Sequence, residues 1–149
     1  MPNKIVGRTV EQQELKEIFN SKNSEFVAVY GRRRVGKTYL IRSYFQHKTN
    51  CIFFQVIGLQ KGTQKEQLEN FSEEFSKTFY DGMPIQPFTS WKAAFKALTS
   101  ILEKQGRGKK IILFLDELPW MATPRSGLLE ALDHIWNNTW VDWNNFNFE

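Results

Sequence analysis

Gly31-Arg32-Arg33-Arg34-Val35-Gly36-Lys37-Thr38 is the stretch of sequence that decides the fold. It fits the pattern G-x-x-x-x-G-K-[ST], the Walker A motif, at every fixed position. An apolar run from Phe26 to Tyr30 precedes it, and residues 39–45 follow with apolar side chains at helical spacing. Strand, glycine loop and helix in this order form the setting that the motif requires. This context disfavours the alternative, a basic turn at the surface with no role in phosphate binding. The sequence therefore predicts a phosphate-binding loop.

The residue types of this loop match the chemistry of a nucleoside triphosphate. Gly31 and Gly36 let the backbone approach the phosphates without a clash from a β-carbon, and the loop amides can point at phosphate oxygens. Lys37 is predicted to reach the β- and γ-phosphates and to assist catalysis, and the Thr38 hydroxyl is predicted to bind Mg²⁺. The predicted nucleotide-binding residues of this segment are Gly31, Arg32, Arg33, Arg34, Val35, Gly36, Lys37, Thr38 and Tyr39.

A second segment ends in two adjacent carboxylates. Residues 109–117 consist of two lysines, five apolar residues, and then Asp116 and Glu117. A continuous apolar run predicts a strand buried on both faces, and carboxylates at its end lie where open α/β sheets bind ligands. We predict that this is a Walker B segment, with Asp116 as a ligand of Mg²⁺ and Glu117 as the catalytic base that polarises water. A buried strand that merely runs into an acidic turn is the alternative, which the upstream Walker A motif disfavours.

Composition restricts the class of protein. The chain has 149 residues, 41% of them hydrophobic and 15% aromatic, which suits one domain over residues 1–149 with a substantial core. No apolar run approaches the ~20 residues of a membrane span, and the start of the chain lacks the apolar segment of a signal peptide. Cys51 is the single cysteine. These features predict a cytoplasmic protein without a membrane partner.

The net charge of +4 is unevenly distributed along the chain. From Gly31 to Lys65 there are eight basic residues and no acidic one. A concentrated positive potential attracts polyanions, so nucleic acid is a candidate partner in addition to the nucleotide. The alternative, which we favour, is that the basic residues of this segment serve to bind the nucleotide alone.

The rest of the chain alternates between strand and helix patterns. Their predicted order is a strand at Cys51–Ile57, then helices at 64–80, 91–105 and 128–137. Thr89 or Ser90 is predicted to cap the second of these helices. The third contains the apolar residues Leu128, Leu129, Leu132, Ile135 and Trp136. Pro119 is expected to keep the residues that follow it out of immediate helix. The alternation predicts an α/β architecture of three layers with a parallel sheet.

The whole chain resembles the N-terminal part of prokaryotic P-loop ATPases related to the AAA+ and STAND classes, the group often called archaeal-type ATPases. The segments that carry the likeness are residues 5–8 with Glu11, Glu14 and Leu15, residues 30–38, residues 114–121 and residues 128–136. The resemblance implies that ATP and Mg²⁺ are the cofactors. It also implies that Val6, in the first segment, lies near the adenine.

The end of the chain departs from the pattern of this group. The resemblance implies a further strand with a polar sensor residue between the Walker A and Walker B strands, and later an arginine finger and a helical lid. Residues 137–149 contain no long apolar run, so we expect a truncated P-loop fold that is incomplete at the C-terminus. Strands left unpaired would invite self-association or need a missing C-terminal domain. A further hypothesis is that residues 140–148 supply a makeshift strand.

Taken together, these patterns favour an ATP-hydrolysing core that drives a conformational or remodelling task on protein or nucleic acid. A nucleotide-binding module that hydrolyses poorly is the first alternative, because without an arginine finger the charge of the transition state is not neutralised. A small-molecule kinase is a further alternative. An acid pair at the end of the strand, however, favours activation of water over a hydroxyl acceptor.

Overall fold

The computed structural model describes residues 16–17, 25–26, 42–44, 51–106, 109–143 and 146–148. Its strands are β1 (Glu25–Phe26), β2 (Cys51–Ile57), β3 (Lys110–Asp116) and β4 (Phe146–Phe148). Its helices are α1 (Gln64–Phe79), α2 (Trp91–Gln105), α3 (Leu118–Met121) and α4 (Leu128–Asn138). Residues 16–17 and 42–44 are also helical, and Trp140–Asp142 form a 3-10 turn.

The strands form one parallel sheet in the order β1-β4-β3-β2. The pairing of β2 with β3 runs over seven residues, from Cys51 beside Lys110 to Ile57 beside Asp116. The predicted α/β class with a mainly parallel sheet is therefore confirmed. Because the strands are parallel, their carboxyl ends meet at one edge of the sheet, and Asp116 lies at that edge.

Strand β3 lies inside the sheet and is buried along its whole length. Ile111, Leu113 and Leu115 belong to the hydrophobic cluster that also contains the buried residues of α1, α2 and α4. Ile112 and Phe114 alternate with them, face the opposite side of the sheet, and are 0% exposed. Both faces of β3 are thus covered, as the continuous apolar run predicts.

Local sequence signals set the starts of the two long helices. The Thr63 hydroxyl accepts a hydrogen bond from the Glu66 amide at 3.1 Å, and the Glu66 carboxylate accepts one from the Thr63 amide at 2.9 Å. This reciprocal pair is a capping box, which satisfies two amides that a helix start leaves without partners. At the start of α2 the Ser90 hydroxyl accepts from the Ala93 amide at 3.1 Å, so Ser90 rather than Thr89 is the cap.

Aromatic rings fill the interface between the sheet and helices α1 and α2. Phe71 lies at the centre, with Phe54 of β2 edge-on at 5.3 Å and with Trp91 and Phe95 of α2 at 5.6 and 6.0 Å. Edge-to-face pairs of this kind add about 0.5–1.5 kcal/mol each beyond their area burial. We call the following set the aromatic core: Phe54, Phe71, Phe75, Trp91, Phe95 and Trp140.

Trp140 ties the segment after α4 to helix α2. Its ring is 0% exposed and lies edge-on to Phe95 at 6.0 Å. Its indole N–H donates to the Thr99 hydroxyl at 2.9 Å, and Thr99 in turn donates to the Phe95 carbonyl at 2.8 Å. The buried indole is thus both packed and hydrogen-bonded, which a tryptophan in an apolar core requires.

Strand β4 occupies the position between β1 and β3. Asn147 lies in register beside Glu25 on one side and Ile112 on the other. The hypothesis of a makeshift strand from residues 140–148 is therefore confirmed for Phe146–Phe148, whereas Trp140–Asp142 form a 3-10 turn. Strand β4 thus has a parallel backbone partner on each side, β1 and β3.

One expectation at the level of a single residue is wrong. Pro119 does not exclude helix, because it lies in the first turn of α3, where its missing amide proton has no helical partner to lose. In α4, Leu128 and Leu132 are buried, whereas Leu129 is 48% exposed.

Candidate functional site

The acid pair Asp116–Glu117 ends the interior strand β3 at the carboxyl edge of the sheet. Both residues are only 4% exposed. The amide of Glu117 donates to Oδ1 of Asp116 at 2.9 Å, so one carboxylate oxygen is oriented by the backbone of the next residue. Buried carboxylates are rare without a functional or structural partner, because burial disfavours their charged form.

Glu117 has a left-handed backbone, with φ 56° and ψ 42°. For a residue with a β-carbon this conformation costs about 1–2 kcal/mol. The strained residue turns the chain from β3 into α3, and its carbonyl accepts from the Trp120 amide at 3.0 Å. Strained positions of this kind persist where the surroundings hold them, and they cluster at active sites. The strain supports a functional role for Glu117.

The residue after β2, Gly58, lies in close contact with the turn at Glu117. The Gly58 amide donates to the Asp116 carbonyl at 2.8 Å, extending the parallel ladder by one bond. A β-carbon at position 58 would lie 2.5 Å from the Glu117 carbonyl oxygen and 3.2 Å from Cβ of Trp120. Only glycine fits at this contact, so the β2 end determines where the Glu117 carbonyl can lie.

Gln67 joins the loop after β2 to the same turn. Its side chain is 2% exposed and donates to the Leu59 carbonyl at 2.7 Å and to the Trp120 carbonyl at 3.2 Å. Its Oε1 accepts from the Leu59 amide at 2.9 Å. The carboxamide therefore bridges α1, the loop after β2 and α3. We call the set Gly58, Gln67, Asp116, Glu117 and Trp120 the carboxyl edge.

Neither Gly58 nor Gln67 is among the residues that the sequence motifs predict. A signal for Gln67 does exist, because it lies four and eight residues before Phe71 and Phe75, on the apolar face of α1. A glutamine on a buried helix face must find hydrogen-bond partners. For Gly58, nothing in the sequence separates a close backbone contact from an ordinary turn.

The structure brings Asp116 and Glu117 together, whereas the other predicted site residues lie outside the described ranges. These are Val6, Gly31, Arg32, Arg33, Arg34, Val35, Gly36, Lys37, Thr38 and Tyr39. Their assignment stays a prediction from the motif and the resemblance. Arg42, one of the basic residues near the motif, is helical and exposed.

The donor chemistry at the carboxyl edge fits Mg²⁺. Within the described ranges, no three His, Cys, Asp or Glu side chains gather as a site that could hold a metal by themselves. Mg²⁺ needs no such cage, because it binds through one or two carboxylates together with waters and substrate phosphates. Asp116 supplies a carboxylate of the required hard oxygen type.

The parallel α/β sheet, the buried acid pair at the end of its interior strand and the Walker A pattern in the sequence fit the class of P-loop ATPases. The chain belongs to a family within it, the ATPase domains found predominantly in Archaea, whose model matches residues 5–144. This agrees with the resemblance to archaeal-type ATPases and with an ATP-binding role.

Two proteins of Methanocaldococcus jannaschii are similar to the chain. One is an uncharacterised protein, 27% identical over 133 residues, which are 88% of this chain and 26% of that protein. The other is an uncharacterised ATP-binding protein, 40% identical over 44 residues, which are 30% of this chain and 75% of that protein. The chain thus spans about a quarter of the length of the first relative.

No helix within the described ranges combines the length and the apolar character that a membrane span requires.

Proposed function

We propose that the chain binds ATP together with Mg²⁺ and hydrolyses it, and that hydrolysis drives a conformational or remodelling task. The observation that carries this proposal is the buried acid pair at the carboxyl end of β3, with Glu117 held in a strained backbone. Family membership and the ATP-binding relative support it. So does the direction of β1, which runs parallel to β3 and precedes residues 31–38 in the sequence.

In the proposed site each residue has one task. The amides of residues 31–38 and the Lys37 ammonium bind the phosphates, and Val6 and Tyr39 complete the nucleotide site. Asp116 and the Thr38 hydroxyl hold Mg²⁺, which, when bound, neutralises charge on the phosphate oxygens. Glu117 accepts a proton from the water that attacks the γ-phosphate, so that the terminal P–O bond breaks to give ADP and phosphate.

The substitution Glu117→Gln tests the role of the base. It preserves the size of the side chain but removes its capacity to take a proton. We expect nucleotide affinity to persist while hydrolysis falls at least ~10²-fold, the scale of losing a positioned base. The matched control is Glu130→Gln, the same change at an exposed position in the first turn of α4. Equal turnover by the Glu117 variant and the control would contradict the proposal.

The same experiment separates hydrolysis from simple binding. A wild-type chain that binds fluorescent ATP but releases no phosphate above the rate of the Glu117→Gln variant would be a binding module instead. Transfer of the γ-phosphate to a sugar or nucleoside, rather than to water, would identify a kinase.

A further inference from the structure

The carboxamide of Gln67 has one orientation that satisfies its neighbours. Its nitrogen faces three carbonyls, those of Leu59, Trp120 and Gly62, at 2.7, 3.2 and 3.5 Å. Its oxygen faces the Leu59 amide at 2.9 Å. Exchanging the two groups would set an oxygen against three carbonyl oxygens, so all four contacts agree on the assignment. The side chain is therefore fixed rather than free to rotate between alternatives.

From Gln67 the contacts continue to the strained residue. The Trp120 carbonyl accepts a hydrogen bond from the Gln67 carboxamide, and the Trp120 amide donates one to the Glu117 carbonyl at 3.0 Å. Gly58 also lies beside the Glu117 carbonyl oxygen, so closely that a β-carbon at position 58 would be 2.5 Å from that oxygen. The Glu117 peptide is thus held from two directions, by α3 and by the end of β2.

We infer that Gln67 is a positioning residue for the proposed hydrolysis: it fixes the turn of residues 117–121 against the loop after β2, so that Glu117 keeps its left-handed backbone. This inference rests on the proposed role of Glu117 as the base. Gln67 itself needs no contact with nucleotide or water. Its influence follows because a residue in a sparsely populated conformation relaxes when its restraints are removed.

Asn70 provides a matched control on the same helix. Its side-chain amide donates to the Ile57 carbonyl at 2.8 Å, which anchors α1 to the last residue of β2. This hydrogen bond does not involve residues 117–121. Both Gln67→Met and Asn70→Leu remove a side-chain amide that tethers α1, but only the first is expected to release the turn after β3.

The experiment compares the wild-type chain, Gln67→Met and Asn70→Leu by hydrogen exchange and by kinetics. Exchange of the amides within residues 117–122, where every residue except Pro119 carries one, reports local opening of the turn and requires no activity. In Gln67→Met we expect this exchange to accelerate about ten-fold or more, beyond any change shared with Asn70→Leu. We expect kcat to fall about ten-fold while KM stays within about two-fold, because orientation of the base is lost and ground-state binding is not.

Further variants keep the test decisive if Gln67→Met does not fold. Gln67→Glu sets an anionic oxygen against the Leu59 and Trp120 carbonyls, and should accelerate exchange in residues 117–122 more than Gln67→Met does. Gly58→Ala should produce the same signature from outside α1, because its β-carbon must displace the Glu117 carbonyl.

The inference is overturned if exchange in residues 117–122 rises no more in the Gln67 variants than in Asn70→Leu. It is also overturned if kcat stays equal to that of the wild type while the turn opens. A wild-type chain that hydrolyses no ATP would refute the proposed function instead, and the exchange data would still decide whether Gln67 holds the turn.

Discussion

The aromatic core and the carboxyl edge both include residues of helix α1, but they are stabilised in different ways. In the aromatic core, rings pack edge-on with centroids 5–6 Å apart, and burial of apolar area is the main source of stabilisation. At the carboxyl edge, buried polar groups meet a residue with a left-handed backbone. The first arrangement maximises stability, whereas the second holds a costly geometry in place.

The difference between the two regions predicts that stability and chemistry can be changed separately. Substitutions in the aromatic core should lower the free energy of unfolding and leave the proposed hydrolysis per folded molecule intact. Substitutions at the carboxyl edge should lower the proposed hydrolysis per folded molecule and change the free energy of unfolding less. Single substitutions in the two regions and at the start of α1 test this separation, and their expected effects decrease from Trp140 to Glu66.

Trp140→Ala should produce the largest loss of stability. Removing a fully buried aromatic ring costs about 3–5 kcal/mol, through lost transfer energy and the cavity that remains. The Thr99 hydroxyl also loses the indole donor. Urea denaturation measures the change, and Val141→Ala, at an exposed neighbouring position, serves as the control. A loss no greater than that of the control would show that the segment after α4 is not part of the core.

Glu117→Gly should be more stable than Glu117→Ala by up to about 2 kcal/mol. Both lose the carboxylate, but only alanine retains the β-carbon that makes the left-handed backbone costly. Denaturation of the two variants isolates the strain at this one residue. If the alanine variant were as stable as the glycine variant, the strain at residue 117 would not exist.

Thr63→Ala should cost about 1 kcal/mol, because α1 loses the hydroxyl that caps its first turn. Thr78→Ala, at an exposed position on the same helix, is the matched control. Urea midpoints of the two variants give the comparison, and the capping box is refuted if they coincide. Since Gln67 lies on the first turns of α1, a moderate increase in exchange at residues 117–122 is the expected secondary effect of Thr63→Ala.

The smallest effect is a dependence of stability on pH through Glu66. Its carboxylate accepts from the Thr63 amide and hydroxyl, and these bonds lower its pKa below the usual 4.5. Because the folded pKa is depressed, the contribution is fully present above the unfolded pKa and disappears as pH falls through the folded value. An NMR titration of the Glu66 carboxyl should give a pKa below 4.5. In Thr63→Ala the pKa should move towards the usual value, and a Glu66 pKa equal in both would contradict the assignment.

Much of the fold follows from local sequence patterns. The strand prediction for Cys51–Ile57 matches β2, and the apolar run before Asp116 matches β3, because continuous apolar runs have few alternatives in a sheet. Helix α1 ends at Phe79, one residue before its predicted end, and α4 extends one residue further than predicted. Strand β4 lacked a local signal, because its residues are placed by pairing with the neighbouring strands β1 and β3.

The candidate site was predictable where a motif carries it and not where contacts between segments carry it. Asp116 and Glu117 follow from their position after an apolar run. The close approach of Gly58 to the Glu117 carbonyl depends on how two strands end beside each other, and no pattern within one segment encodes that distance. Gln67 is intermediate, because its burial could be inferred from helical spacing but its partners could not.

Calorimetry with Mg²⁺ and a non-hydrolysable ATP analogue tests the central claim most directly, namely that nucleotide and metal bind together where Asp116 ends β3. We predict heat of binding for the wild-type chain, loss of the Mg²⁺-dependent part of the affinity in Asp116→Asn, and no binding in Lys37→Glu. No heat with the wild-type chain, or equal affinities with Mg²⁺ and with a chelator in both the wild type and Asp116→Asn, would contradict the claim.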